Sequence, residues 1–184
     1  EVRVFWEKIG LLQKLRKKNS NGKNYFLLDG PPYANDVPHV GHIRNTVYKD
    51  FNLRLAFLKG YNVFFQPGFD THGLPVENKV EKKLNIKSKK DIEKLGIKKF
   101  TDICKASAAD NKDLWMEVYE GLGALYAWGK PYLTYDNSYV ESGWWTFKQV
   151  WDKGLVYEGK KPVFWCPKCE TALAGYEVTD SYAI

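Results

Sequence analysis

Two histidines three residues apart, His39 and His42, stand at the predicted start of a helix that follows a short apolar strand. The free backbone N–H groups and the positive dipole end of such a helix attract anions, phosphates above all. Imidazole N–H donors beside those amides would stabilise charge that develops on a phosphate in a transition state. Gly41 lacks a Cβ and lets the backbone approach a nucleotide closely. The pattern predicts a nucleotide-activating enzyme. The alternative is that one histidine caps the helix and the other is simply exposed.

The elements around these histidines predict a βαβ unit. Strands are expected over residues 24–28 and 63–65, joined by a helix over residues 42–59 with an apolar face. That face would consist of Ile43, Val47, Phe51, Leu55 and Leu58. The strands should be parallel with a right-handed crossover, and ligands bind beyond the carboxyl ends of such strands. The loops over residues 30–41 and 67–73 both leave such ends, so they should face one crevice.

Capping signals and aromatic residues mark the elements downstream. Ser88 and Ser138 each precede an acidic residue by three positions, which is the pattern of a capping box at a helix start. Six of the seven tryptophans lie from residue 115 onward. Trp144 and Trp151 share one helical face, which predicts that most of these tryptophans belong to the core.

The composition describes one domain with a local basic surface. With 184 residues, 44% of them hydrophobic, the chain can bury one good core. We find no signal peptide and no apolar run long enough to cross a membrane. Nine lysines and three acids between Lys79 and Lys99 account for the net charge of +6. This patch would attract RNA, although a solvated helical face is the more common meaning of such a run.

Several segments, in order, resemble class I aminoacyl-tRNA synthetases. His-Val-Gly-His at 39–42 is similar to the family's His-Ile-Gly-His motif. Gly-Pro-Pro-Tyr-Ala-Asn at 30–35 and the segment at 67–77 resemble its isoleucyl members more than its valyl or leucyl ones. Further matching segments lie at residues 141–145, 154–159 and 165–173. Because the family is far longer and the chain begins with Glu1 instead of Met, we expect an N-terminal portion of a larger protein.

The resemblance implies an α/β fold, the N-terminal half of a Rossmann-type parallel-sheet catalytic domain. This half would cover residues 1–154, with a helix over residues 2–18, and residues 155–184 would start an inserted connective or editing region. The resemblance also implies activation of isoleucine by ATP with Mg²⁺ and transfer to tRNA(Ile), by a cytoplasmic monomer that does not contact membranes. The family's second ATP motif, Lys-Met-Ser-Lys-Ser, does not occur in the sequence. We therefore expect this chain alone to be weakly active or inactive.

The functional roles that the resemblance implies fall on the two loops. The ATP-binding residues would be Asn35, His39, Gly41 and His42, of which the two histidines are catalytic. The amino-acid-binding residues would be Gly30, Pro31, Tyr33 and Asp70. Asp70 would bind the α-ammonium group, which suits a carboxylate just beyond a strand. The alternative for Asp70 is a turn or helix cap before Gly73, and His72 would at most orient the loop.

Cys166 and Cys169 have the spacing of a zinc knuckle. Two thiolates are half of the four ligands that a structural zinc takes, and the resemblance implies a second cysteine pair outside this chain. A redox Cys-x-x-Cys is less well supported, since no thioredoxin-like pattern surrounds it. Cys104 is expected to be a small buried hydrophobe. The three cysteines do not form a secreted disulfide framework, so a reducing cytosol is the expected compartment.

Other functions remain open from the residues alone. A non-catalytic RNA-binding module could combine the lysine patch with the zinc knuckle, but it would give no purpose to His39, His42 and Asp70. Another nucleotidyltransferase could activate a small carboxylate without tRNA, but the loop around Asp70 and the cysteine pair argue against it. A valyl- or leucyl-type enzyme is a further alternative, because one methylene is worth only about 1–3 kcal/mol in binding.

Overall fold

A computed structural model of the chain describes residues 1–125, 130–167, 169–175 and 178. This part of the chain has an α/β architecture of helices and short strands. The helices are α1 (Val2–Lys8), α2 (Leu11–Lys18), α3 (Val40–Leu58), α4 (Leu74–Lys83), α5 (Lys89–Leu95), α6 (Ile97–Gly121) and α7 (Asn137–Asp152). The strands are β1 (Asn24–Leu27), β2 (Asn62–Phe65), β3 (Gly68–Phe69), β4 (Tyr132–Leu133), β5 (Trp165–Cys166) and β6 (Thr171–Ala172).

Parallel pairing organises the first four strands. β1 pairs with β2 in parallel, with Asn24 opposite Asn62, and α3 connects them, so the predicted βαβ unit is confirmed. β3 pairs with β4 in parallel, with Gly68 opposite Tyr132. β5 and β6 form a separate antiparallel pair. The parallel strands bring segments from both ends of the chain to one edge, where their carboxyl ends lie.

The core lies between β2 and β3 on one side and helices α2, α3 and α6 on the other. Leu12 of α2, Leu53 of α3 and Phe65 of β2 belong to the same buried cluster. Trp115 of α6 is 1% exposed and packs edge-to-face against Tyr119, with ring centroids 5.9 Å apart. Phe69 of β3 contacts both rings, and this aromatic cluster connects the longest helix to β3.

The face of α3 that the sequence predicted as buried is largely exposed. The structure buries Thr46, Leu53, Ala56 and Phe57 instead. Val47, Phe51, Leu55 and Leu58 are exposed, whereas Ile43 is half-buried. The helix carries apolar residues around most of its circumference, so their spacing alone does not select the buried face. The positions of the strands and of α6 select it.

The prediction that most tryptophans lie in the core is wrong for α7. Trp144 and Trp151 are 66% and 60% exposed, and no residue of α7 is buried. Tyr139 in the first turn of α7 stacks against Tyr132 of β4, whereas Trp144 contacts Phe147 one turn away on the same helix. Ser138 does not cap the helix, which begins at Asn137 after Asp136. Trp115 is the tryptophan for which the core prediction holds, and Trp128 lies outside the described residues.

The remaining local predictions have mixed outcomes. The expected helix over residues 2–18 is divided at Gly10, whose φ of 60° ends α1 and starts α2. The capping box of Ser88 and Asp91 is confirmed at the start of α5. Among the described residues no helix is both long and apolar enough to cross a membrane.

Gly68 provides a test of this packing. A Cβ at Gly68 would lie 2.0 Å from the ring of Tyr132, whose hydroxyl donates a hydrogen bond to the carbonyl oxygen of Asp29. Gly68→Ala should therefore destabilise the fold by about 1–3 kcal/mol, the usual cost of overpacking. Urea unfolding followed by circular dichroism measures this change.

Gly143→Ala is the matched control for this prediction. Gly143 lies in α7, and its Cβ would meet nothing within 4 Å. Alanine at this helical position should stabilise by roughly 0.5–1 kcal/mol. Equal effects of the two substitutions would contradict the close contact between β3 and β4.

Candidate active site

The loops that follow β1 and β2 are joined directly by their backbones. The N–H of Asp70 donates to the carbonyl oxygen of Pro32 at 2.8 Å, and the N–H of Ala34 donates to the carbonyl oxygen of Asp70 at 3.0 Å. Tyr33 and Asp70 thereby form a parallel bridge beyond the ends of the strands. The structure thus places the two loops side by side, as their positions after parallel strands predict.

Both histidines of the first loop cap helix α3. His39 is the N-cap residue, and its Nδ1 accepts a hydrogen bond from the N–H of Gly41 at 3.1 Å. The Nδ1 of His42 accepts from the N–H of His39 at 3.3 Å. An imidazole that accepts at Nδ1 carries its proton on Nε2 when it is neutral. The capping role and a ligand-binding role are therefore compatible, because they use different nitrogens of each ring.

The two imidazole rings are stacked, with centroids 3.7 Å apart. Gly41 makes this arrangement possible, because a Cβ there would lie 2.9 Å from Cε1 of His39. The glycine is therefore required by the histidine pair itself, in addition to the close backbone approach that its sequence position predicts. Both imidazoles belong to the start of α3, where the positive end of the helix dipole favours an anion.

Trp115 supports His42 from the other side. The two rings are 4.7 Å apart, and Nε1–H of Trp115 donates to the carbonyl oxygen of Asp36 in the same loop. Burial lowers the pKa of His42 below its ordinary value of 6.5, and the neighbouring His39 and Lys49 lower it further. His42 is therefore neutral at neutral pH, which keeps the Nε2–H donor fixed by the capping geometry.

An open cavity of about 420 Å³ lies beside the histidine pair. Four predicted site residues line it: Tyr33, Asn35, His39 and His42. Trp115 and Pro75 also line it, and neither was predicted as a site residue. The predicted ATP-binding side of the site is therefore concave and accessible, and it is formed by α3, α6 and the loop between β1 and α3.

Asp36 also lines this cavity and was not predicted as a site residue. Its carboxylate pairs with Lys79 of α4 at 2.9 Å. The hydrogen bond from Lys79 lowers the pKa of Asp36, and the hydrogen bond from the N–H of Val37 lowers it further. Asp36 stays ionised and ties the loop to α4. Asn35 and Asp36 also line a neighbouring groove of about 730 Å³ between α4 and α6.

The side chain of Asp70 is held by the hydroxyl of Thr134, the residue that follows β4. The Oγ1 of Thr134 donates to Oδ1 of Asp70 at 3.1 Å and lies 3.0 Å from Nδ1 of His72. Thr134 is 4% exposed, and it also accepts from the N–H of Thr71. With the Thr134 proton directed at Asp70, His72 donates from Nδ1, so the three side chains form one chain of hydrogen bonds.

This arrangement leaves Oδ2 of Asp70 free to receive a ligand. No described residue donates a hydrogen bond to that oxygen, and the side chain is half-buried. A half-buried carboxylate with one oxygen fixed and one available suits a primary ammonium group. The expectation that His72 orients the loop agrees with its contact to Thr134. Sequence reasoning could not find Thr134, because 64 residues separate it from Asp70.

Gly30 and Pro31 precede this bridge at the start of the first loop. Gly30 is exposed and Pro31 is half-buried. A Cβ at Gly30 would meet nothing within 4 Å, so packing among the described residues does not demand a glycine there. Their predicted role as walls of an amino-acid pocket is neither supported nor opposed by these contacts.

Cys166 and Cys169 adjoin a short hairpin away from the histidines. The N–H of Cys169 donates to Sγ of Cys166 at 3.3 Å, as expected of a knuckle turn. No group of three or more His, Cys, Asp or Glu side chains that could hold a metal occurs among the described residues. Cys104 of α6 is half-buried, and burial raises the pKa of its thiol to about 11, so it stays protonated.

Comparison with known proteins finds relatives of this chain. Residues 1–183 match the family described as tRNA synthetases class I (I, L, M and V). The chain is similar to the isoleucine–tRNA ligase of Pyrococcus horikoshii, with 43% identity over 185 residues, 100% of this chain and 17% of that protein. It is also similar to the isoleucine–tRNA ligase of Clostridium acetobutylicum, with 46% identity over 182 residues, 99% of this chain and 18% of that protein.

A solved structure shows the same fold. It is the agnB2 LeuRS of Agrobacterium radiobacter K84 in a ternary complex with tRNA and LeuAMS. The TM-score is 0.71 at 26% sequence identity, over 96% of this chain and 20% of that chain. The chain spans about 17% of the length of the curated relatives it matches.

The half-buried position of His42 predicts a pH dependence of stability. Because folding lowers its pKa below 6.5, the unfolded chain binds the proton more readily. The stability that neutral His42 contributes is complete above pH 6.5, and it is lost as the pH falls from there through the lowered pKa of the folded chain. Urea unfolding at pH 7.5 and pH 5.5 should show a larger loss for the wild type than for His42→Gln. Parallel losses in both proteins would contradict the burial of this imidazole.

Proposed function

This chain belongs to the class I tRNA synthetases, and we propose that it forms the ATP- and isoleucine-binding part of an isoleucine–tRNA ligase. The observation that carries the proposal is the shared edge of the two loops. The first loop leads to the two Nε2–H donors at the start of α3, and the second loop carries the available carboxylate oxygen of Asp70. Backbone hydrogen bonds join the two loops. The names of the relatives support isoleucine as the amino acid and tRNA as the acceptor.

In the proposed reaction, the carboxylate of isoleucine attacks the α-phosphorus of ATP. An O–P bond forms to give isoleucyl-adenylate, the bond from the α-phosphorus to the bridging oxygen breaks, and pyrophosphate leaves. Negative charge develops on the phosphoryl oxygens, which His39 and His42 would stabilise through Nε2–H. The positive dipole end of α3 adds to that stabilisation. Catalysis then consists of positioning and charge stabilisation, without a covalent enzyme intermediate.

The amino-acid side of the proposed site is built on Asp70. Its Oδ2 would bind the α-ammonium group of isoleucine, while Thr134 keeps Oδ1 in place. Tyr33 bridges to Asp70, and Gly30 and Pro31 lie at the other end of the same loop. These residues would form one wall of the side-chain pocket.

Mg²⁺ is expected to enter this site with the phosphates of ATP. Class I synthetases use ATP, generally with Mg²⁺. Among the described lining residues of the cavity, Asp36 supplies the carboxylate, and Lys79 already pairs with it. This donor set fits an ion that is carried by phosphate oxygens and water better than one held in a protein cage.

Cys166 and Cys169 would provide two ligands of a structural zinc. The knuckle geometry, with the N–H of Cys169 directed at Sγ of Cys166, fits two thiolates on one tetrahedral ion. Two further ligands would have to come from outside the described residues. We propose that residues 155–184 begin an inserted domain around this knuckle, after a catalytic segment over residues 1–154. The cysteine usage of the chain, which does not form a secreted disulfide framework, also favours the cytosol as the compartment.

The lysine-rich segment has fewer free charges than its composition indicates. Lys79, Lys89, Lys94 and Lys98 each pair with an acidic side chain in the described structure. The remaining lysines are exposed on α4, on α5, in the loop between these helices and at the start of α6. A solvated face explains most of this patch, and nothing in it favours a non-catalytic RNA-binding module over the synthetase.

The first prediction of the proposed function concerns His42. In the full-length protein, His42→Ala removes a donor to the developing charge, so isoleucine-dependent ATP–pyrophosphate exchange should fall about a hundredfold. The measurement is the exchange rate of labelled pyrophosphate into ATP at saturating isoleucine.

Ser88→Ala is the matched control, because it removes a comparable helix cap from α5, away from the crevice. Its exchange rate should equal that of the wild type. If His42→Ala also retains the wild-type rate, the proposed catalytic role of this histidine is wrong.

The second prediction concerns Asp70. Asp70→Asn keeps the shape of the side chain and removes the charge that would pair with the ammonium group. The KM for isoleucine should rise at least about tenfold, because a charge-assisted hydrogen bond is worth about 1.5–3 kcal/mol. The KM for ATP should change little, since the histidine pair binds that substrate.

Asp102→Asn controls for the loss of one acidic group. Asp102 pairs with Lys98 on the exposed side of α6, and its replacement should leave both KM values unchanged. Equal increases of both KM values in Asp70→Asn would identify Asp70 as a structural cap instead.

A further inference from the structure

Asp29 joins four elements of the fold through one side chain and one carbonyl. It follows β1 directly, and its side chain is 4% exposed. Its Oδ1 pairs with Nζ of Lys49 on α3, and its Oδ2 accepts from the N–H of Gly68 on β3 at 3.2 Å. Its carbonyl oxygen accepts from the hydroxyl of Tyr132 on β4 at 3.1 Å. Apart from the backbone N–H, each polar atom of Asp29 therefore has a bonding partner, and the three partners lie on three different elements.

These contacts lie at the roots of both site loops. Asp29 immediately precedes Gly30, and Gly68 precedes Asp70 by two residues. The backbone bonds between Pro32 and Asp70 connect the same loops further along. The loops are thus tied twice, once by the Asp29 carboxylate at the base and once by the backbone near Asp70.

The charge state of the neighbours keeps this arrangement intact. Burial raises the pKa of Tyr132 to about 12, and the negative charge of Asp29 contributes to that increase. The phenol therefore keeps its proton and remains the donor to the carbonyl oxygen of Asp29. Lys49 is 18% exposed, so its ammonium group depends on Asp29 for compensation.

We propose that Asp29 is a positioning residue that fixes the amino-acid side of the crevice, by holding the loop of Gly30 at a set distance from the loop of Asp70. The inference rests on the proposed function for its kinetic consequence. The histidine pair is held by its own capping bonds and by Trp115, and none of these contacts involves Asp29. Loss of Asp29 should therefore affect the amino acid more than ATP.

The kinetic test uses Asp29→Ala in the full-length protein, assayed by isoleucine-dependent ATP–pyrophosphate exchange well below the melting temperature. The KM for isoleucine should rise about tenfold or more, since misplacement of binding groups by about 1 Å can cost a hundredfold. The KM for ATP should stay near the wild-type value. Asp29→Asn keeps an acceptor for Gly68 and should give a smaller increase, and it replaces the alanine variant if that variant does not fold.

Asp50→Asn is the matched control. Asp50 is on α3, and its side chain is 15% exposed. It pairs with Arg54 and accepts a hydrogen bond from the N–H of Leu125. These partners lie away from the site loops, so this substitution should lower the melting temperature without changing the KM for isoleucine. An unchanged KM for isoleucine in Asp29→Ala, or an equal increase in Asp50→Asn, would overturn the inference.

Hydrogen exchange tests the same inference without activity. The amides of Ala34 and Asp70 donate the two bonds between the loops and should be protected in the wild type. Asp29→Ala should accelerate their exchange more than Asp50→Asn does. If the wild-type protein showed no isoleucine-dependent ATP–pyrophosphate exchange, only the proposed function would be refuted. The hydrogen exchange of the two amides would still decide the positioning role of Asp29. Unchanged protection in Asp29→Ala would refute that role.

Discussion

Two backbone hydrogen bonds beyond the strand ends determine the geometry of the site. The amide of Asp70 donates to the carbonyl oxygen of Pro32, and the amide of Ala34 donates to that of Asp70. They form an isolated parallel bridge between Tyr33 and Asp70 beyond the strand ends, where side chains with chemical roles can replace the apolar ones of the core. Because a parallel ladder allows little change in spacing, the first loop and the Asp70 carboxylate are held at a fixed separation. The chemistry proposed for the crevice depends on that separation.

The histidine pair shows how one residue can serve both the fold and the site. His39 and His42 satisfy free backbone N–H groups of α3 through Nδ1, which leaves each Nε2–H for a ligand. Stacking between the rings and against Trp115 restricts their rotation. Burial keeps His42 neutral, so its donor is fixed before a nucleotide arrives. Donors oriented in advance stabilise developing charge without reorganisation at the moment of reaction.

The sequence predicted what depends on local pattern and on chain direction. The βαβ unit and the neighbouring positions of the two loops follow from apolar runs, loop residues and the rules for parallel strands. The buried face of α3 could not be predicted, because apolar residues surround that helix and packing partners choose among them. Trp144 and Trp151 show the same limit, since a helical stripe predicts burial only where another surface meets it. Thr134 and Trp115 reach the site across long sequence separations, and no local signal distinguishes them from ordinary strand and core residues.

In the proposed site, one crevice holds the phosphate through α3 and the amino acid through Asp70. Calorimetric titration of a non-hydrolysable isoleucyl-adenylate, which carries both groups in one molecule, tests it most directly. In the full-length protein, His42→Ala and Asp70→Asn should each weaken binding of this compound at least about tenfold, because each removes a polar contact to it. Wild-type affinity in either variant would contradict the account, since the corresponding loop would then lie outside the site.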